Sequence, residues 1–357
     1  MWYSNYDGLK EGLAAVRLRF FETCKEKELE ENAVIAGFYR DLTAKAVYES
    51  NWQEGVKLER GKTQRFSNMA FDEIGTFTGP SLDLDAILKI HQKLVRGIFK
   101  KGGSMEEVGA FNLASSYTYM TAIRAEMARK ATVVMIKEAA EFALTAQSDY
   151  SHLSSYQDLM LSIEDAKRQV SESERIIPFV KSCDGGILKG LMDIEIEELR
   201  APFSQKHLHF LHRVTMMGLL PPKECGRLRR IGVHVGHDGV LFPPPEAIEP
   251  MLDRFCKSMP SAIPDGDDIV RLSAVLSHRF VSIHPYVDGN GRVSRVIMNG
   301  VLCGRHPPVA LKADKKGSKR YGQALARADR GNLEPLAALI CKSLIESYES
   351  MIRAISH

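Results

Sequence analysis

The sequence contains no C-x-x-C pair, no long apolar run and almost no net charge, and each absence closes off a class of protein. Its six cysteines (Cys24, Cys183, Cys225, Cys256, Cys303 and Cys341) stand singly, so reduced thiols are expected and not a disulfide framework. No stretch approaches the ~18 apolar residues of a membrane span. The best run, 131–136, ends at Lys137 and Glu138. The 48 Lys and Arg nearly cancel the 45 Asp and Glu, leaving +3. A dedicated nucleic-acid binder carries more positive charge, concentrated on one face, so bulk polyanion binding is disfavoured while a local phosphate site stays open. The opening MWYSNYDGLK lacks a basic region followed by an apolar stretch, so no signal peptide is expected and a cytoplasmic location is. Solenoid-type repeats and low-complexity tracts are absent as well.

What remains is an ordinary globular composition, 44% hydrophobic and 26% charged over 357 residues. At about 150 residues per domain, that is one large or two moderate domains with ample core. Segments 7–24, 28–54, 83–101, 105–148, 156–178 and 186–199 carry apolar residues three and four apart and predict helices. Asp83, Ser104 and Ser155 suit N-caps, and Gly102-Gly103 and Gly185-Gly186 suit stops. Character changes near 200, which suggests a helical N-terminal region over 1–200 and a second region over 201–357. There Ile231, Val233 and Val235 alternate, the sequence turns at 236–239, and Val240-Leu241-Phe242 returns before three prolines, which predicts a β-hairpin over 231–242. A short helix is expected at 205–219 ahead of the hairpin, and helices follow it at about 246–258, 268–283, 291–304, 318–328 and 332–355. The fold class is all-α with one exposed hairpin.

The residues that carry chemistry are His284-Pro285-Tyr286-Val287-Asp288-Gly289-Asn290-Gly291-Arg292-Val293-Ser294-Arg295. One helix ends, a loop turns, and another begins near Gly291. Glycines on both sides of Asn290 let successive N–H groups converge at a helix N-terminus, which is a phosphate cradle. Arg292 and Arg295, three apart, can face one anion. Asp288 is a hard carboxylate suited to Mg²⁺ beside phosphates, and His284 is the side chain there able to accept a proton near neutral pH. A base, a metal carboxylate and a phosphate cradle together point to transfer of a phosphate-containing group.

This loop resembles the Fic family signature H-P-[FY]-x-[DE]-G-N-G-R-x-x-R. The resemblance extends over roughly 205–345, through Phe280 and Ile283 ahead of the loop, His278, Gly226-x-x-Arg229, the triple proline and Tyr321. It implies a Fic-type helical core and transfer of AMP from ATP to a Ser, Thr or Tyr hydroxyl of a target protein. His284 would be the general base and Asp288 would hold Mg²⁺. The N–H groups of Gly289, Asn290 and Gly291, with the Asn290 side chain, would form the anion hole. Arg292 would serve the β-phosphate, Arg295 the γ-phosphate, and Tyr321 would lie near adenine. Both glycines are intact, which favours nucleotidyl transfer over the phosphorylation carried out by a relative with a degenerate loop. Tyr286 stands where Phe is more frequent, and its hydroxyl needs a partner. The hairpin would be a flap whose edge pairs with the target by β-augmentation.

Ser50-Asn51-Trp52-Gln53-Glu54-Gly55 fits the family's inhibitory motif [S/T]-x-x-x-E-[G/N]. Ser50 and Glu54 are i,i+4 on one helix face, and Gly55 is a natural stop. By resemblance, Glu54 would pair with Arg295 and take the place of the γ-phosphate. In some relatives the same glutamate helps remove AMP instead. That reaction, and a catalytically silent module binding a partner through the flap, are the alternatives to adenylyl transfer. No membrane partner is expected, and a homodimer is left open. His207, His209 and His212 have helix offsets of two and five and read as packing or surface residues, not zinc ligands. The basic stretch 312–320 lacks aromatic interleaving and reads as a solvated loop near the nucleotide entrance. Arg227, Arg229 and Arg230 flank the hairpin, with target or phosphate contact and solvation equally open.

Overall fold

The computed structural model describes residues 6–74, 82–148, 203–235, 240–259 and 268–356. Among them are eleven helices and one two-stranded β pair. In chain order these are α1 (Tyr6–Glu26), α2 (Glu31–Gln53), α3 (Arg60–Ile74), α4 (Leu84–Lys100), α5 (Met105–Ser148), α6 (Gln205–Met216), β1 (His234–Val235), β2 (Val240–Leu241), α7 (Pro245–Ser258), α8 (Ile269–Ile283), α9 (Asn290–Leu302), α10 (Lys315–Ala328) and α11 (Glu334–Ser356). The helices expected at 156–178 and 186–199, their caps Ser155 and Gly185-Gly186, and the turn at 236–239 lie outside the described residues. None of the described helices is long and apolar enough to cross a membrane.

Contacts divide the chain into two units. One comprises Met1–Arg124, Ser204–Ser258 and Asp268–His357; the other comprises Ala125–Phe203 and Met259–Asp267. Within the second, Lys130 pairs with Glu126 at 3.0 Å one turn apart on α5. All the candidate site residues belong to the first.

The caps explain where several helices of the first unit begin. Asp83 Oδ1 accepts the N–H groups of Asp85 and Ala86 at the start of α4. Ser104 and Glu107 exchange side-chain-to-backbone bonds at the start of α5. Gly102, at φ 80°, closes α4 as expected. α3 was not expected from the sequence. Its buried face (Thr63, Phe66, Ser67, Ala70, Phe71 and Ile74) has helical spacing but is half polar or small, so apolar periodicity alone does not reveal it.

α1 packs along α11, with Phe20 against Tyr348 at 5.4 Å between ring centroids, and α8 packs along α9. At the centre, α9 is buried from Arg292 to Leu302 on every face, although it contains two arginines, a serine and an asparagine. Such a helix stands only if each polar group is met. Ser294 Oγ donates to Ser277 O at 2.9 Å. Asn299 donates to Val309 O and accepts from Val309 N–H. Arg295 is met from the functional site, whereas Arg292 keeps a buried Nε without a partner among the described residues. The β pair is short, with His234 opposite Leu241 and Val235 opposite Val240. Ile231 stands outside the ladder and is exposed, so pairing covers less than the alternation over 231–242 suggests.

Candidate functional site

α8 ends at His284, whose backbone is left-handed (φ 50°, ψ 57°). A non-glycine there costs on the order of 1–3 kcal/mol and persists only when its surroundings over-determine it. They do so from three sides. Nδ1 donates to Val281 O at 3.2 Å, Arg229 Nε donates to His284 O at 2.7 Å, and the Phe242 ring stacks on the imidazole at 4.0 Å. Because Nδ1 faces a carbonyl it must carry the proton, so Nε2 is the basic nitrogen. Burial, together with the charge of Arg229, holds the His284 pKa below its usual 6.5, against the backbone bond and the carboxylates of Asp288 and Glu54. The imidazole is therefore neutral and basic at neutral pH.

The loop is braced from within and below. Asn290 accepts from Tyr286 N–H at 3.0 Å and donates back to Tyr286 O at 2.8 Å. Its carboxamide is committed to the loop's own backbone, where the sequence placed it in the anion hole. The N–H of Gly289 is likewise given to Asp288 Oδ1 at 2.6 Å. The N–H groups that lead into the cradle are therefore those of Asn290, Gly291 and Arg292, the first helical residues with no intrahelical acceptor. Gly289 has φ 80°, and a Cβ there would meet Met216 Sδ at 2.6 Å.

α6 forms the floor beneath the loop. The His212 ring stacks on Tyr286 at 3.7 Å; its Nδ1 accepts from Gly226 N–H at 2.8 Å and its Nε2 donates to Asp288 O at 2.9 Å. Burial lowers its pKa to about 4, so it serves as a neutral bridge. The Tyr286 hydroxyl finds its partner in His209 Nδ1 at 3.0 Å. These roles of His209 and His212 were not evident in the sequence, although their i,i+3 spacing, with Met216 one turn beyond, puts them on one face.

The two arginines are met differently. Arg292 Nη1 reaches Met216 Sδ at 3.1 Å, and its buried Nε has no partner among the described residues. Arg295 Nε donates to Ser50 Oγ at 2.7 Å, and Nη2 donates to Ser50 O at 3.2 Å and Glu54 Oε1 at 2.5 Å. Burial raises the Glu54 carboxyl pKa, but the Arg295 charge and hydrogen bond outweigh it and leave the pKa below its usual 4.5. Arg295 is shifted upward because Glu54 overcomes the effect of burial. A Cβ on Gly291 would lie 2.5 Å from Glu54 Oε1, so the carboxylate rests on the first turn of α9, where the helix favours an anion.

The end of α2 is shaped to deliver that carboxylate. Gly55, at φ 78°, and Val56 close the helix on Trp52 O and Asn51 O in a Schellman arrangement. Glu49 accepts from Ala313 N–H at 2.7 Å and Gln53 donates to Leu311 O at 3.1 Å, tying the same turn to the segment ahead of α10. Neither contact was expected from the sequence. Tyr321 lies half-buried on α10, at a cavity of about 240 Å³ also lined by Leu311, Lys316 and Ser343.

An anion such as a nucleotide phosphate fits this cradle: open helix-start N–H groups, an arginine with an orphaned buried Nε, and a second arginine already holding a carboxylate. Asp288 is exposed and spends one oxygen on Gly289 N–H. Among the described residues no group of three or more ligating side chains gathers for a metal. The donor set therefore suits a Mg²⁺ completed by a nucleotide's own phosphates, and not one caged by protein alone.

Residues 202–302 match the Fic/DOC family. The chain is 31% identical over 156 residues to the protein adenylyltransferase Fic of Drosophila ananassae, covering 42% of this chain and 30% of that relative. It is 32% identical over 156 residues to that of Drosophila melanogaster, covering 42% and 31%. The chain thus spans under a third of the length of these relatives. Two solved structures share its fold: a Fic-1 fragment from C. elegans (TM-score 0.51, 17% identity, 97% of this chain and 71% of that one) and a Fic domain containing signaling protein from Bacteroides thetaiotaomicron (TM-score 0.51, 15% identity, 95% and 97%). The helical core around the 284–295 loop thus lies within the stretch of this chain, residues 202–302, that matches the Fic/DOC family.

Proposed function

We propose that this protein is a Mg²⁺-dependent protein adenylyltransferase that moves AMP from ATP to a Ser, Thr or Tyr hydroxyl of a target protein, and that Glu54 restrains it. The observation that carries the reading is the contact of Glu54 with Arg295 over Gly291, beside a histidine whose Nε2 is left basic. His284 Nε2 takes the hydroxyl proton while the hydroxyl oxygen forms a bond to the α-phosphorus and the bond to pyrophosphate breaks. The N–H groups of Asn290, Gly291 and Arg292 receive phosphate charge that grows in the transition state, and the orphaned Arg292 Nε gains an acceptor. Asp288 holds Mg²⁺, which neutralises phosphate charge when bound. Tyr321 flanks the base. A target segment lies along the 231–242 ribbon through main-chain bonds.

With Glu54 in place, Arg295 cannot close on the γ-phosphate, and the α-phosphate is not aligned for attack. Alignment matters because a misplacement of about 1 Å can cost about 10²-fold in rate. The relatives' name, protein adenylyltransferase, supports the reaction class.

Labelling with two forms of ATP tests the chemistry. Glu54→Gly protein added to Mg²⁺ and cell lysate should raise incorporation above that of lysate alone from α-labelled but not γ-labelled ATP, and Glu54→Gly/His284→Ala should raise neither. A rise in γ-label would replace adenylyl by phosphoryl transfer. A rise in neither label with Glu54→Gly would remove the reading.

A further inference from the structure

Arg229 lies between α6 and β1 and is 2% exposed. Its partners among the described residues are all main-chain carbonyls. Nε donates to His284 O at 2.7 Å, Nη1 to Ile231 O at 2.8 Å and Nη2 to Pro243 O at 2.5 Å. Its own N–H donates to Pro285 O at 2.9 Å. One planar fork thus joins three separate points of the chain: the residue bearing the base, the entry to the β ribbon and the exit from it. Phe242, next to the Pro243 acceptor, adds its stack on the His284 ring. Neither root of the ribbon can shift without breaking a charged hydrogen bond or carrying His284 along. A lysine could keep the charge but not three fixed directions at once.

We propose that Arg229 is a positioning residue that couples the flap to the base, so that a target segment laid along the ribbon is held at a fixed distance from His284 Nε2. The proposal rests on the reading of His284 as general base and of 231–242 as the target-binding flap. Arg229 lies outside the anion cradle, so its loss should leave nucleotide binding intact and fall on the transfer step.

The test uses the full chain in the Glu54→Gly background, with Arg229→Lys and Arg229→Gln. AMP incorporation from Mg²⁺-ATP is followed by intact mass, Mg²⁺-ATP affinity by calorimetry and integrity by thermal melting. Arg229→Lys should melt cooperatively, bind Mg²⁺-ATP within about twofold of its parent and incorporate AMP at least about tenfold more slowly. An unchanged rate, or a rate and an affinity that fall together, would overturn the coupling. If the Glu54→Gly parent incorporates no AMP, the functional reading fails and amide hydrogen exchange still decides the coupling. Arg229→Lys should speed exchange both at 230–233 and Phe242 and at His284 and Tyr286; acceleration on one side only would sink it. If neither variant folds, exchange of the unaltered chain at alkaline pH takes their place. One shared opening rate for ribbon roots and base segment upholds the proposal, and separate rates reject it.

Discussion

The site is assembled from two regions held in opposite ways. The 284–295 loop is fixed largely by bonds that end on backbone: His212 on Asp288 O, Asn290 on both polar groups of Tyr286, and Arg229 on His284 O. The end of α2 is tied to the 311–313 backbone by Glu49 and Gln53, but it meets α9 through one side chain, Arg295, which holds Glu54 and both oxygens of Ser50. Backbone-directed bonds within a buried loop are part of its fold, whereas a carboxylate on an arginine competes with any other anion of the same reach. The lesson is that a carboxylate held on one arginine can be removable while the loop it rests on stays rigid.

The largest test of this contrast lies on the rigid side. His284→Ala in the Glu54→Gly background should reduce AMP incorporation by about 10²–10⁴-fold, the usual worth of a general base. Melting should stay cooperative, and a residual rate above a tenth of the parent would assign proton removal elsewhere. Asn290→Ala removes two buried hydrogen bonds and strands both polar groups of Tyr286. At about 1–3 kcal/mol for each stranded group, the expected loss is about 2–6 kcal/mol in urea unfolding. A loss no greater than that of Ser50→Ala would erase the distinction between brace and restraint.

Titration sharpens the contrast further. With the His284 pKa below 6.5, the fraction of neutral base, and with it the rate of the Glu54→Gly protein, should rise through a midpoint below pH 6.5 and be flat above it. A midpoint above 6.5 would mean that Asp288 and the backbone bond to Val281 outweigh burial. Glu54 has the opposite linkage sign. Its pKa in the folded protein is depressed below 4.5, so its stabilising contact is fully present above the unfolded value and lost only as pH falls through the folded one. Mild acid should therefore slow the enzyme without releasing the restraint, and stimulation of the wild type between pH 5 and 6 would contradict this. The smallest effect belongs to Ser50→Ala. It leaves Glu54 on Arg295 but removes one Arg295 partner, and should raise wild-type AMP incorporation only a few-fold, read by intact mass.

Much of this was legible in the sequence, and the limits have physical causes. The tight turn into α9 could be read because Gly289 needs a positive φ, whereas nothing in the sequence says that the Asn290 carboxamide turns inward onto Tyr286. Ser50 and Glu54 could be paired because one helical turn separates them. α3 was missed because its inner face contains Thr63 and Ser67 among the apolar residues. The ribbon was read as longer than its two-residue pairing because alternation does not say where a ladder ends. The contacts of Arg229 were invisible for a deeper reason: its side-chain acceptors are carbonyls at 231, 243 and 284, and a carbonyl has no residue identity to read. His212 was hidden in the same way, because its partners are Gly226 N–H and Asp288 O.

The central claim is that Glu54 withholds Arg295 from the nucleotide, and side-by-side incubation of wild type and Glu54→Gly with Mg²⁺ and ATP, read as the initial rate of AMP incorporation, tests it most directly. The account predicts a rate about 10²-fold higher for Glu54→Gly, accompanied by a loss of about 1–3 kcal/mol in stability without ATP as Arg295 gives up a charged hydrogen bond. Equal rates in the two proteins, with the stability loss present, would leave Glu54 as a structural ion pair and contradict the restraint.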